Sequence, residues 1–446
     1  MLNFGFAQED ITPKIGVSLA GYFNHRSNRG FYDRLAVKAA IFECDGLRFG
    51  LVSCDLCMMD NSLVVQLIAA LKAAGIDFAD NIVFAVTHTH TGPCTTLLFN
   101  DNIDHDYMQR FEHQVVTSVI AARDNLAPAT LAATRTICSH LAFNRRYWMK
   151  DGQVLTNPGK QNCDIVRPEG TTDPEIPILA VKQNGRMALL IVNISNHSDT
   201  IGGHFVSADW PGRMERAIQQ EVEYDLPVMT LIAPQGNINH FNVATTADQT
   251  NYAEANRIGK AYAAVVLSAL YALEPLTCDR IKVATESFDA PYIDVSDAEY
   301  AEARRVVAAN RDAVMEEGRD LTSEDIARKL PAVLKLFAQD VVDCRERPHT
   351  GKRSEIMSAI SFGEDFVIVS LPAEPFVEIG LKIKATSPFR YNMVAALGMG
   401  EVGYVGLPEN YGRGNAYETI PSPRLADRNL GLKFIEVAER LLKQTK

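Results

Sequence analysis

Residues 81–87, NIVFAVT, hold a continuous apolar run, Ile82 to Val86, with no alternation. A strand of that kind is buried on both faces. It stops at a polar block, Thr87-His88-Thr89-His90-Thr91-Gly92-Pro93. The pattern recurs. Residues 187–194 run out into Asn196-His197-Ser198-Asp199 and on to His204, and residues 228–233 into Pro234-Gln235-Gly236-Asn237-Ile238-Asn239-His240. Apolar strands that end in histidine- or glycine-bearing loops constrain the chain to an α/β protein with its site at strand ends.

The remaining patterns fill in that architecture. Residues 36–42 and 49–53 read as a hairpin turning at Asp45-Gly46, and 178–181 with 187–194 as a second around Asn184-Gly185. Helical periodicity covers residues 61–74, 106–125, 209–222 (with Asp209 as N-cap and Pro211 in the first turn), about 248–273, and the tail 423–444. Residues 358–362 and 366–371 resume strand character. Before them, 296–345 is different: Ser296 and Glu299 form a capping-box signature for a helix to about residue 317. A second helix runs from Thr322 to about 338, kinked at Pro331. The expectation is a mixed β-sheet core covered by helices, with 296–345 as a helical insertion.

Composition limits the partners. Across 446 residues, 44 Lys+Arg against 55 Asp+Glu leave a net charge of −11. That argues against nucleic acid, whose backbone demands a basic footprint. No run reaches the roughly 18 apolar residues of a membrane span, so no stable membrane insertion is expected. The start MLNFGFAQEDITP has no basic segment followed by an apolar core, and the eight scattered cysteines fit reduced core thiols. A cytoplasmic protein is expected. Cys54 and Cys57 form one C-x-x-C without a second, and also read as core thiols. At about 150 residues per domain the length allows roughly three units.

His88 and His90, two apart in an extended segment, point the same way. Imidazoles at that spacing suit zinc, and also suit a hydrogen-bonded pair at a turn. His25, His105, His113, His140 and His349 read as loop residues. Glu374, in Leu371-Pro372-Ala373-Glu374-Pro375, is a solvated turn residue or, facing a metal, a ligand or general base. Gly398-Met399-Gly400-Glu401-Val402-Gly403 matches a dinucleotide fingerprint, but no long helix can follow it, so a nicotinamide oxidoreductase is set aside.

Taken in order, EDITPKIGVSLAGY, LVSCDL, HTHTGP, FNRRYWMKDG, ISNHSDT, VSADWPG, APQGNIN, LPAEPFVEIG and YVGLPENYGRGNAYET resemble the neutral (non-lysosomal) ceramidase family in its N-terminal catalytic domain. The resemblance runs over nearly the whole chain and looks like a short bacterial-type member without the family's C-terminal β-sandwich.

The resemblance implies a zinc amidohydrolase. The ligands it implies are His88, His197, Glu374 and Tyr404, with His204 in reserve. It places His90, Arg145 and Tyr417 around the scissile carbonyl, and a zinc-activated water as nucleophile. Asp55 and Asp209 are candidates for orienting the histidines. The substrate implied is a small-molecule or lipid N-acyl amide, as in sphingolipid metabolism. Where ceramidases carry Ser-Pro this chain has Asn239-His240, and it has Ser198 in place of a proline after His197. Those departures favour a smaller or more polar amide over ceramide. A metal-dependent esterase or lactonase on the same site, and a non-catalytic ligand-binding protein, are the alternatives. Ligands spread from residue 88 to 404 imply one catalytic unit over 1–446, with a homo-oligomer as a possible assembly.

Overall fold

The computed structural model describes residues 1–96, 102–314, 325–326, 328–348, 353–414 and 416–446. Among these, three sheets of four or five strands carry the core. The first orders Ile82–Val86, Leu47–Cys54, Ala36–Cys44, Asn3–Asp10 and Ala127–Pro128. The second orders Val228–Ile232, Arg186–Ile194, Glu175–Gln183, Thr130–Ile137 and Glu274–Leu276. The third orders Ile281–Ala290, Arg353–Phe362, Phe366–Leu371 and Tyr391–Ala396. The fold is mixed α/β, as expected.

Each sheet is antiparallel except at one edge, where the last pair is parallel: Leu47–Cys54 with Ile82–Val86, Arg186–Ile194 with Val228–Ile232, and Phe366–Leu371 with Tyr391–Ala396. One strand of each parallel pair is apolar throughout because both faces are covered; every residue of Ile82–Val86, Val228–Ile232 and Phe366–Leu371 is buried. Their ends meet. Asn193 donates to the carbonyls of Leu231 and Val394 and accepts from Val394 N–H, all at 3.0 Å, tying the second sheet to the third. Met399 N–H donates to Phe84 O at 3.0 Å, tying the third to the first. Phe42 and Phe49 stack at 5.0 Å and meet Phe362 edge-on, filling the space between the first and third sheets.

Helices close the outer faces. His105–Asp124 lays Phe111, Val115 and Val119 on the first sheet. Asp209–Val222 and Tyr252–Ala269 cover the second through Trp210, Met214, Ile258 and Tyr262. Leu430–Thr445 covers the third through Phe434, Val437 and Leu441. His105 and His113 therefore sit on a helix and not in a loop. Both hairpin turns form as read, with Asp45, Gly46, Asn184 and Gly185 all at positive φ.

Three local readings change. Asp209 is not at the N-cap position of its helix; Ala208 is, without a side-chain cap, and the Asp209 carboxylate receives the N–H groups of Ile201 and Trp210. Pro331 starts the helix Pro331–Glu346 and does not kink one, because proline lacks the N–H that a first-turn position leaves unused. The Thr322 start lies outside the described residues, as does His349. The preceding helix, Asp297–Ala309, has its capping box at Ser296 and Glu299 but ends short of 317. These two helices pack through Ala303, Val341 and Val342.

Candidate metal centre and its cavity

One ligand candidate follows the parallel edge pair of each sheet. His88 comes after Ile82–Val86, His197 after Arg186–Ile194, and Glu374 after Phe366–Leu371. All three side chains are buried (1%, 0% and 4% exposed). The Nε2 atoms of His88 and His197 each lie 3.1 Å from Glu374 Oε2. His88 does not sit in an extended segment. Its φ of 60° turns the ring so that Nδ1 meets Cys57 O at 2.7 Å. His197 Nδ1 faces the carbonyls of Ile238 at 2.8 Å and Gln235 at 3.1 Å. Carbonyls only accept, so both Nδ1 atoms carry a proton and both Nε2 atoms are the ones turned inward.

That arrangement fits a metal. Two Nε2 atoms and a carboxylate oxygen converge within 4.8 Å of one another, and Glu374 Oε2 is buried without a hydrogen-bond partner. Ligands about 2 Å from a tetrahedral ion stand roughly 3.3 Å apart, close to the separations here. The electrostatics agree. Burial opposes charge on His88, yet the adjacent Glu374 raises its proton affinity well above the ordinary histidine value. Burial would push Glu374 up, but His88 and the His197 contact hold it well below the usual carboxylate range. His197 is pushed down by burial and by the Arg145 charge, so it is a neutral imidazole.

Tyr404 is brought in by the backbone: Glu374-Pro375 pairs in parallel with Tyr404-Val405, with Glu374 opposite Tyr404. Arg145 lies between two rings, 5.2 Å from the centre of Tyr404 and 5.4 Å from that of Tyr417. It is held by Glu418 at 2.9 Å and by the carbonyl of Gly236 at 2.7 Å, and reaches 3.5 Å from His197 Nε2. His90 Nε2 stands 3.2 Å from His88 Nε2. Burial and the charge of His88 push His90 well below the ordinary histidine value.

His88, His90, Arg145, Glu374, Tyr404 and Tyr417 all line one cavity of about 1390 Å³. Its walls include Tyr22, Phe23, Phe241 and Phe337, so the helix Pro331–Glu346 shapes it directly. The volume exceeds the roughly 300–1,000 Å³ of an ordinary small-molecule pocket. Among the described residues no helix is long and apolar enough to cross a membrane.

Other candidates stand elsewhere. His204 is in neither cluster of possible ligands among the described residues; its Nδ1 meets Ser27 O at 3.1 Å. Asp55 accepts from Thr87 Oγ1 and Ala36 N–H and touches neither histidine. The orienting groups are backbone carbonyls, which sequence reasoning missed because carbonyls leave no residue signature. Trp210, whose Nε1 donates to His197 O at 2.8 Å, was missed too. The Pro234–Asn239 loop supplies no ligand but brackets the site. Gly236 must lack a side chain there, since a Cβ would come within 2.3 Å of Glu374 O. Cys54 and Cys57 are free and buried, as read; Cys57 Sγ also lies near His88 and His90. The glycine pattern 398–403 lies between the strands Tyr391–Ala396 and Tyr404–Val405, so it runs directly into a strand and not into a helix.

Comparisons with known proteins point one way. The sequence pattern of the neutral/alkaline non-lysosomal ceramidase N-terminal domain matches residues 2–253. Neutral ceramidase of Pseudomonas aeruginosa is 26% identical over 235 residues, which is 47% of this chain and 32% of that protein. The match therefore spans about a third of that relative. The crystal structure of neutral ceramidase from Pseudomonas aeruginosa superposes with a TM-score of 0.73 at 18% identity, covering 99% of this chain and 75% of that one. A ceramidase complexed with C2 superposes with a TM-score of 0.75 at 17% identity, covering 99% and 74%. On the domain match, with the fold in agreement, the chain belongs to the neutral/alkaline non-lysosomal ceramidase family.

Proposed function

We propose that this chain is a zinc-dependent hydrolase that cleaves the amide bond of an N-acyl substrate. The observation that carries the reading is the inward-facing set of His88 Nε2, His197 Nε2 and the unpartnered Glu374 Oε2 beside a large cavity. Those three residues, with Tyr404, would hold the ion. When bound, zinc supplies a Lewis acid that makes water nucleophilic near neutral pH and polarises an acyl carbonyl.

The chain's own groups do the rest. Arg145 and Tyr417 present donors to the oxygen on which negative charge develops. Arg145 is pre-set by Glu418 and Gly236, so no reorganisation is needed as charge develops. His90 is neutral at pH 7 and accepts a proton at Nε2, which it passes to the leaving nitrogen. Aromatic side chains in the cavity wall offer apolar surface to an acyl chain. Ligands drawn from three sheets support reading the whole chain as one catalytic unit with 296–345 as an insertion. The size of the cavity supports a lipid-like acyl group.

A panel of N-acyl amides and matched esters, assayed with zinc-loaded and chelated protein, tests this. Amide turnover that disappears on chelation and returns with zinc is expected. Full turnover without metal, or turnover of esters alone, contradicts it.

A further inference from the structure

Asp199 has no part in the metal centre, yet the chain places it beside the reacting groups. The loops after the first two sheets run side by side: Thr89 and Ser198 form a parallel bridge, and His90 N–H donates to Ser198 O at 3.1 Å. In that register His88 neighbours His197, and one step further His90 neighbours Asp199. Asp199 lines the cavity together with His90, Tyr417 and Thr250, and its side chain keeps 14% exposure.

A second residue fixes it. His240 Nδ1 lies 3.1 Å from Asp199 Oδ1, and His240 Nε2 lies 2.6 Å from the carbonyl of Gln249. The ring is 1% exposed and lies against Phe241 at 4.3 Å. Both partners of His240 only accept, so both ring nitrogens carry protons and the ring is an imidazolium. It fixes by one oxygen a carboxylate that lines the cavity. A fixed, buried acceptor of that kind rewards a donor on the ligand and penalises a ligand that leaves it unpaired.

We propose that Asp199, seated by His240, is a specificity-determining acceptor that selects substrates carrying a hydroxyl or N–H donor on the amine side of the scissile bond. The amine side follows from the neighbouring His90, and so rests on the hydrolase reading above.

The test uses the metal-loaded full chain and two probes, an N-acyl ethanolamide and its O-methyl ether. Hydrolysis and equilibrium binding are measured for each. The wild type is expected to favour the hydroxyl probe by about 10- to 100-fold, the worth of one hydrogen bond to a charged group. Asp199→Asn turns an amide donor toward the cavity, which either oxygen can accept, so the ratio is expected to fall within about 3-fold of unity. His240→Gln removes one of the ties and is expected to lower the ratio in the same direction, should D199N not fold. Equal handling of the probes by the wild type, or a preference that survives in D199N, overturns the proposal. If neither probe is hydrolysed, the amidase reading fails, and the ratio of dissociation constants still decides the role of Asp199.

Discussion

Two buried histidine–carboxylate groups meet at the same cavity. In one, His88 and His197 face Glu374; in the other, His240 faces Asp199. Both set imidazole nitrogen about 3.1 Å from a carboxylate oxygen. What differs is how many rings converge. His88 and His197 each spend an Nδ1–H on backbone carbonyls and bring two Nε2 atoms to one oxygen of Glu374, close to the spacing of a tetrahedral ion's ligands. His240 brings a single ring to Asp199, with its other nitrogen on the Gln249 carbonyl, and belongs to neither cluster of possible ligands among the described residues. A histidine beside a carboxylate is therefore not a metal site until a further donor converges on it.

The largest effect should come from the first group. His197→Ala is expected to lose the ion and to lower turnover by at least about a thousandfold, because several kcal/mol of charge stabilisation leave with it. Metal content and kcat on one sample check this, and retained zinc would erase the distinction between the groups. Arg145→Met should keep the ion and lower kcat by about 100- to 1000-fold, as for loss of one oxyanion donor. A rise in KM alone would move Arg145 out of that role.

His240→Gln sharpens the contrast from the other side. It should keep the ion but cost about 3 kcal/mol of stability, by breaking a buried ion pair. The pH dependence has a defined sign. Burial disfavours the His240 charge, but Asp199 and the Gln249 carbonyl raise its proton affinity above the ordinary value. That stabilisation is full below about pH 6.5, the value in the unfolded chain, and is lost as pH rises through the raised folded value. The gap between wild type and H240Q in chemical denaturation should narrow above that pH. A gap that widens with pH would mean a neutral ring. The smallest effect is expected from Cys57→Ala. The carbonyl of Cys57, not its thiol, holds His88, so zinc affinity should change by less than about 10-fold, under the usual range for loss of an orienting partner.

Much of the fold was legible where burial on both faces leaves an unbroken apolar run, as in residues 82–86, 228–232 and 366–371. Turn residues that require positive φ marked both hairpins. Asn3–Asp10, Thr130–Ile137 and Ile281–Ala290 went unread. The last is partly exposed along most of its length, and its sequence IKVATESFDA mixes both faces. Pro331 was misjudged because a proline at a helix start and one at a kink differ only in the residues before it. At the site, His88, His197 and Glu374 were readable because strand ends and family resemblance coincide there. The Asp199–His240 pair was not: its partners lie 41 residues apart, and only the fold brings them together.

The central claim is that His88, His197 and Glu374 converge on a place for one cation and that the His240–Asp199 pair does not. Elemental analysis of the purified chain, followed by calorimetric zinc titration of the chelated protein, tests it most directly. The account predicts one zinc site per chain, abolished in His88→Ala and in His197→Ala and retained in His240→Gln. A chain that binds no zinc, or a His88→Ala variant that still binds one ion with wild-type affinity, would contradict it.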